Sequence, residues 1–222
     1  MKKLGKLFRV ILRASRVCYH RISALCYPFA PDIIFPLPQN SWTHGDCFGK
    51  DCVFDGVSWG EHMGTDFLTF PRTHVHAIGR GYVVYADIHF GIKEIRGEDG
   101  TLIQGLRRNW GGIVIVAHKN PRTGKVFFSL YGHLVDLQVS KGDRVEQGEI
   151  LGVVAEAVTE DNGMWGEAHL HFGIFVGPWM GRVLPGYWSG PTDSRTRLEW
   201  WCNPLIFLEN YGDSGKEKTL SP

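Results

Sequence analysis

From His169 to Val176 the sequence reads HLHFGIFV, and its apolar residues fall at every second position. On a strand this period places Leu170, Phe172, Ile174 and Val176 on one face and His169, His171 and Gly173 on the other. The pattern predicts one buried face and one left open. Gly81 to Phe90, Gly112 to His118 and Lys125 to Leu134 carry the β-branched and aromatic content of further strands, separated by Gly, Asn and Pro clusters. Residues 120–125 (NPRTGK) supply the turn between the last two. Shorter blocks follow at Gly142 to Val145 and Gly148 to Val154. With 222 residues, 43% of them hydrophobic, the chain buries one sizeable core. The expectation is a mainly β, sandwich-like fold: an antiparallel sheet folded over an open groove, with a short second layer from residues 139 to 155.

The first 31 residues differ in kind. They hold Lys2, Lys3, Lys6, Arg9, Arg13, Arg16 and Arg21 and no acidic residue, although the whole chain carries a formal charge of only +1. So small an excess gives no electrostatic reason to expect nucleic acid as a partner. Leu4, Leu7, Phe8, Ile11, Cys18, Ile22 and Leu25 recur at helical spacing, which predicts a basic amphipathic N-terminal helix. Its arginines interrupt the apolar run before the ~20 residues a membrane span needs. It also lacks the apolar centre of a secretory signal, so contact with a membrane surface through residues 1–26 or an atypical export sequence is the functional expectation, and docking on the domain or fraying the structural one. Pro28, Pro31, Pro36 and Pro38 end the helix and open a linker. The expected division is helix 1–31, linker or pro-like segment 32–57, catalytic domain 58–210 and flexible tail 211–222.

Five cysteines are too few and too irregular for a disulfide scaffold. Cys47 and Cys52 stand close enough to bridge in an oxidising compartment, and with His44 they form a weak second metal motif. The stronger chemistry lies in the histidines. His169 and His171, two apart on a strand, present both imidazoles to one space. In His62-Met63-Gly64-Thr65-Asp66, four-residue spacing puts His62 and Asp66 on one side of a helix or a strand, with Gly64 letting the backbone bend between them. His133 ends the strand Lys125 to Leu134. A catalytic zinc takes three protein ligands from nitrogen, sulfur or carboxylate and keeps a position for water.

HMGTD at 62–66, YGHL at 131–134, GDRVEQGEILG at 142–152 and HLHFGI at 169–174, with GGIVIVAH between them, occur in the order found in lysostaphin/LytM-type zinc metalloendopeptidases. The chain resembles that family over about residues 58–176, and NPLIFL at 203–208 looks like the segment that often ends such domains. The resemblance implies the duplicated-hybrid-motif fold, zinc held by His62, Asp66 and His171, and catalytic roles for His133 and His169. It implies hydrolysis of peptide bonds in bacterial cell-wall peptidoglycan, and a place in the cell envelope, periplasmic or extracellular. Zinc lowers the pKa of bound water to about 7, and a nearby imidazole stabilises the oxyanion or passes a proton to the leaving amine. Departures from the family pattern are the long stretch Gly91 to Gly111, the aromatic-rich stretch Pro178 to Trp201, and the N-terminus.

Each assignment has a plainer rival. His118, His74, His76 and His89 read as structural; His74 and His76 also alternate as a strand pair, but no carboxylate follows at a useful distance. Trp179, Tyr187, Trp188, Trp200 and Trp201 read as a cover for the sheet before they read as a groove lining. The alternative function is a catalytically silent, zinc-bearing domain that binds cell wall or regulates another hydrolase. A further expectation is autoinhibition, with residues 32–59 crossing the groove to supply a fourth ligand. No oligomeric state follows from the sequence.

Overall fold

The computed structural model describes residues 26–54, 57–96, 102–191 and 196–211. Strands β1 (Trp42–His44), β2 (Asp51–Phe54), β3 (Val57–His62), β4 (Thr65–Thr69) and β5 (His74–His76) come first. Next are β6 (Gly81–Arg96), β7 (Leu102–Lys119), β8 (Val126–Val135), β9 (Arg144–Val145), β10 (Ile150–Val154) and β11 (His169–Phe175). The chain closes with β12 (Tyr187–Trp188), β13 (Trp201–Cys202) and the short helix α1 (Pro204–Asn210). The expected basic N-terminal helix falls outside the described residues up to residue 25, and its last part, 26–31, is not helical, with Phe29 bridging to Lys119; the tail beyond Tyr211 also lies outside the described residues. Among the described residues no helix is long and apolar enough to cross a membrane.

The main sheet runs β1-β4-β11-β8-β7-β6-β9, with β10 joined to β8 and β5, and β13 joined to β11. Its pairings are antiparallel, as expected. A smaller sheet, β12-β3-β2, flanks it. The turn at 120–125 forms because Asn120 Oδ1 accepts from the Arg122 and Thr123 amides (2.9 and 3.1 Å), with Gly124 at φ 66°. Helix α1 starts where Asn203 Oδ1 accepts from the Leu205 and Ile206 amides, ahead of Pro204 in the first turn.

Both faces of the main sheet are covered. Val114, Val116, Tyr131, Leu170, Phe172 and Ile174 fill one core with Phe67, Leu151 and Val154. Ile113, Ile115, Leu130 and Phe175 fill a second with Met63, Trp179, Leu184 and Trp201. This explains why GGIVIVAH is apolar without alternation: a central strand buried on both sides has no solvent face. It also changes the reading of β11. Its histidine face is covered, not bare, because His169, His171, Gly173 and Phe175 share it with the second core, and Trp201 lies close over Gly173. Of the suspected aromatic cover, Trp179, Trp200 and Trp201 do pack on Phe128 or Phe175.

The unusually long stretch Gly91 to Gly111 proves to belong mainly to strands. Beyond Gly111, where pairing with β8 stops, β6 and β7 continue as a two-stranded arm from Phe90↔Arg108 to Arg96↔Leu102. The stretch Trp42 to Lys50, for which no strand is legible in the sequence, adds β1 to the edge of β4 and then runs beside the start of that strand.

Candidate metal centre

Register brings the centre together. On β11, His171 lies opposite Asp66 of β4 on one side and opposite Gly132 of β8 on the other, next to His133. His62, at the end of β3, reaches the same place from four residues before Asp66. His62 Nε2, Asp66 Oδ1 and His171 Nδ1 form a triangle with sides of 2.8, 3.1 and 3.3 Å. Among the described residues this is the one group of three or more His, Cys, Asp or Glu side chains placed to hold a metal ion. The weak motif of His44, Cys47 and Cys52 is therefore not a second centre, and Cys47 and Cys52 are free thiols. Among the described residues of 32–59, no fourth ligand joins the group either.

Each ligand is aimed by its surroundings. His62 Nδ1 lies 3.2 Å from the Cys47 carbonyl, which can only accept, so Nδ1 carries the proton and Nε2 offers its lone pair to the triangle. That second bond from a ligating imidazole to a backbone carbonyl is a recurrent means of fixing the tautomer. The segment 45–50 clasps both ligands: His62 N donates to Lys50 O, Gly49 N to His62 O, Asp66 N to Asp46 O and Gly45 N to Asp66 O, all at 2.8–2.9 Å. Gly64 serves close approach more than bending. A Cβ there would stand 2.6 Å from the Phe172 carbonyl and 2.7 Å from the His171 ring, and it carries no positive φ. The ring of His171 thus presents Nδ1 to the triangle, while its buried Nε2 has no hydrogen-bond partner.

The electrostatics call for a positive charge between the three atoms. Burial works to raise the Asp66 carboxyl, but the His171 and His62 side chains outweigh it and hold the group well below the usual carboxylate range. Burial pushes the His171 imidazole down to about 4, against the pull of Asp66. His62, where burial opposes but Asp66 prevails, is raised. A carboxylate, a neutral imidazole and an imidazole that attracts a proton describe a pocket that concentrates negative potential. The donor set also fits zinc: bonds of ~2.0–2.1 Å imply a tetrahedral edge of about 3.3 Å, close to the triangle's sides.

His133 and His169 stand beside this group, with ring centroids 4.4 Å apart, and the His133 ring lies 6.5 Å from that of His171. His133 has φ 61°, a left-handed backbone costing on the order of 1–3 kcal/mol for a residue with a side chain. Its Nδ1 donates to Asp161 O at 2.9 Å, and that of His169 to Glu167 O at 3.2 Å. Burial, then the nearby His169, holds His133 well below the ordinary imidazole value. All five side chains are nearly covered: His62 is 1% exposed, Asp66 7%, His133 4%, His169 3% and His171 2%.

The other histidines lie elsewhere or play other parts. His118 is buried between Arg80 O and Ser129 Oγ, and desolvation lowers it to about 4. His76 Nδ1 donates to Gly148 O. His89 stands 6.4 Å from the ring of Trp110. Of two aromatic neighbours of the centre, Trp110 escaped the sequence reading and Tyr187 was read first as cover for the sheet. Trp110 lies 5.1 Å from the His171 ring and 5.9 Å from that of His133, and Tyr187 lies 5.7 Å from that of His62. The pair Gly111-Gly112 is the only local sign that Trp110 sits at a close backbone approach.

The sequence model of peptidase family M23 matches residues 60–180, more than half of the chain. The protein belongs to peptidase family M23. That span contains the end of β3 with His62 and all of β4, β8 and β11, and so all five residues described above. Among solved structures, the SpoIIQ–SpoIIIAH pore-forming complex aligns at 16% identity with a TM-score of 0.53, covering 87% of this chain and 99% of that one, which shows a shared fold. The catalytic domain of lysostaphin, an antimicrobial peptidase from Staphylococcus simulans, aligns at 21% identity over 76% of this chain and 92% of that one, with a TM-score of 0.48. A zinc-containing peptidase from Vibrio cholerae aligns at 19% over 72% of this M23 chain and 41% of its own, also at 0.48. No curated protein sequence matches significantly.

Proposed function

We propose that the protein is a zinc metalloendopeptidase that hydrolyses peptide bonds in bacterial cell-wall peptidoglycan, with His62, Asp66 and His171 as ligands and His133 and His169 as the catalytic pair. The observation that carries this reading is the triangle of His62 Nε2, Asp66 Oδ1 and His171 Nδ1, with sides of 2.8–3.3 Å and ionisation tuned toward a bound cation. Membership of family M23 supports peptidase chemistry, and the motif resemblance supports the cell-wall substrate. Zinc bound there supplies a Lewis acid that polarises a carbonyl and brings the pKa of a water ligand to about 7.

The chain's own groups do the rest. With Nδ1 committed to Asp161 O, His133 keeps Nε2 as the atom able to take a proton from the attacking water. His169, its Nδ1 on Glu167 O, offers the same atom. Whichever imidazole holds the proton can donate to the oxyanion and then to the leaving amine, so the water's proton ends on the new amino terminus. Near-complete burial of the five side chains removes competing water and strengthens each of these interactions. A silent wall-binding domain is the rival; loss of any one of the five residues would favour it, and all five are present. In the same reading, the basic residues 1–26 hold the enzyme at a membrane surface in the cell envelope.

Zinc quantitation combined with digestion of defined muropeptides tests the proposal. His171→Ala should lose metal and activity together. His133→Ala should keep its zinc and lose turnover by about 10²-fold or more; cleavage at the wild-type rate by His133→Ala would remove that residue from the mechanism.

A further inference from the structure

The residues assigned to chemistry have to meet a peptide, yet they are covered, and one indole covers two of them. Trp110 faces His171 and His133 at ring distances of 5.1 and 5.9 Å. On its other side it is seated on Gly186, where a Cβ would stand 2.0 Å from Trp110 Cζ2. That seat is itself anchored, since Gly186 O accepts from the Met63 amide at 2.8 Å, beside His62. The backbone beneath the indole is held as well. Gly111, at φ 59°, packs so closely on the Leu134 and Asp161 carbonyls that a Cβ would approach them to 2.8 and 2.9 Å, and Gly112 lies against Leu137. Motion that uncovers the histidines therefore belongs to the indole, turning about its own side-chain bonds, and not to the strand.

We propose that Trp110 is the access gate of the metal centre: seated on Gly186 it closes the approach to His171 and His133, and it admits an ion or an extended peptide by turning away. The proposal rests on the reading of His62, Asp66 and His171 as a zinc site. A gate differs physically from a residue that orients a ligand. A gate that opens equally often with and without the ion changes the rates of entry and exit by one factor and leaves equilibrium affinity alone, whereas an orienting residue changes the affinity.

The test uses the full chain, with zinc content measured first. Zinc withdrawal by dipicolinate and zinc uptake by the metal-free protein are then timed for wild type, Trp110→Ala and Gly186→Ala, the last of which unseats the indole. Both variants should speed both processes by about tenfold or more with the dissociation constant unchanged, as removal of a gate that acts on entry and exit alike requires. In parallel, the metal-free proteins are treated with diethyl pyrocarbonate and modification of His133 and His171 is followed by peptide mass mapping; it should be faster in both variants. Should Trp110→Ala fail to fold, Trp110→Phe should move the same readings in the same direction by less. Wild-type modification rates in folded variants would overturn the gate whatever the zinc result. Faster withdrawal with a weakened dissociation constant would make Trp110 an orienting residue and also overturn it. A wild type that takes up no zinc, with the difference in modification intact, would defeat the metal reading and leave the gate standing.

Discussion

Two strands of this protein carry a histidine at every second position, and only one of them builds a site. On β11, His169 and His171 lie in the middle of the main sheet, between β4 with Asp66 and β8 with His133. On β5, His74 and His76 lie in a three-residue strand paired with β10 alone, opposite Val153 and Ile150. His74 is exposed, and His76 spends its Nδ1 proton on the Gly148 carbonyl. The same local pattern thus gives a candidate metal centre or a surface feature according to what the neighbouring strands place opposite it. Register decides, and the motif only permits.

Removing one imidazole from each strand breaks this comparison most sharply. His171→Ala should take the zinc content from near one per chain to near zero, and activity with it by about 10²-fold or more, since no third ligand remains. His74→Ala should leave both unchanged; a loss of zinc in that variant, read by metal analysis, would mean that β5 contributes after all. Next in size is the packing beneath the active strand. Phe172 is fully buried in the core behind the histidines, so Phe172→Ala should cost about 3–5 kcal/mol in urea unfolding, while a truncation of the smaller Val75 on β5 should cost less.

A pH experiment sharpens the distinction between buried structural and ligating histidines. His118 has a folded pKa lowered to about 4 against an ordinary 6.5, so the unfolded chain binds the extra proton between these values. Stability then rises with pH across that window and is lost as pH falls from about 6.5 to about 4, by up to about 3 kcal/mol from this residue. Zinc-free His118→Gln should show a shallower slope of unfolding free energy against pH; an unchanged slope would remove His118 as its source. The smallest effect belongs to β5 again. His76→Ala removes one partly buried hydrogen bond and should cost about 1 kcal/mol in the same unfolding measurement.

Much of this centre was legible because its signals are short-range. Two-residue alternation on β11 and four-residue spacing from His62 to Asp66 each report a shared side within one element. Family resemblance then joined pieces that periodicity cannot join, because strand neighbours are set by register. What stayed hidden depends on distant pairing or on backbone. Trp110 flanks the ligands although it is 61 residues from His171, with only the neighbouring Gly111-Gly112 as a sign, and Tyr187, 16 residues away, read as sheet cover before groove lining. Gly64 reads as a bend and acts as space for a ring. The stretch Gly91 to Gly111 reads as an insertion because an arm of two strands leaves the sheet there, and its pairing follows no alternation of apolar and polar residues. The clasp at 45–50 works through main-chain groups, which leave almost no trace in residue type.

That clasp sets a limit on how the polypeptide can be trimmed. A cut ahead of Tyr27 spares every amide and carbonyl gripping His62 and Asp66, and it also leaves Tyr27, Ala30 and Leu37 buried in the domain. A cut between Gly45 and Lys50 instead releases the Cys47 carbonyl that fixes the tautomer of His62. Cleavage ahead of that packed segment therefore leaves the candidate centre intact, whereas cleavage a few residues beyond Trp42 would undo it.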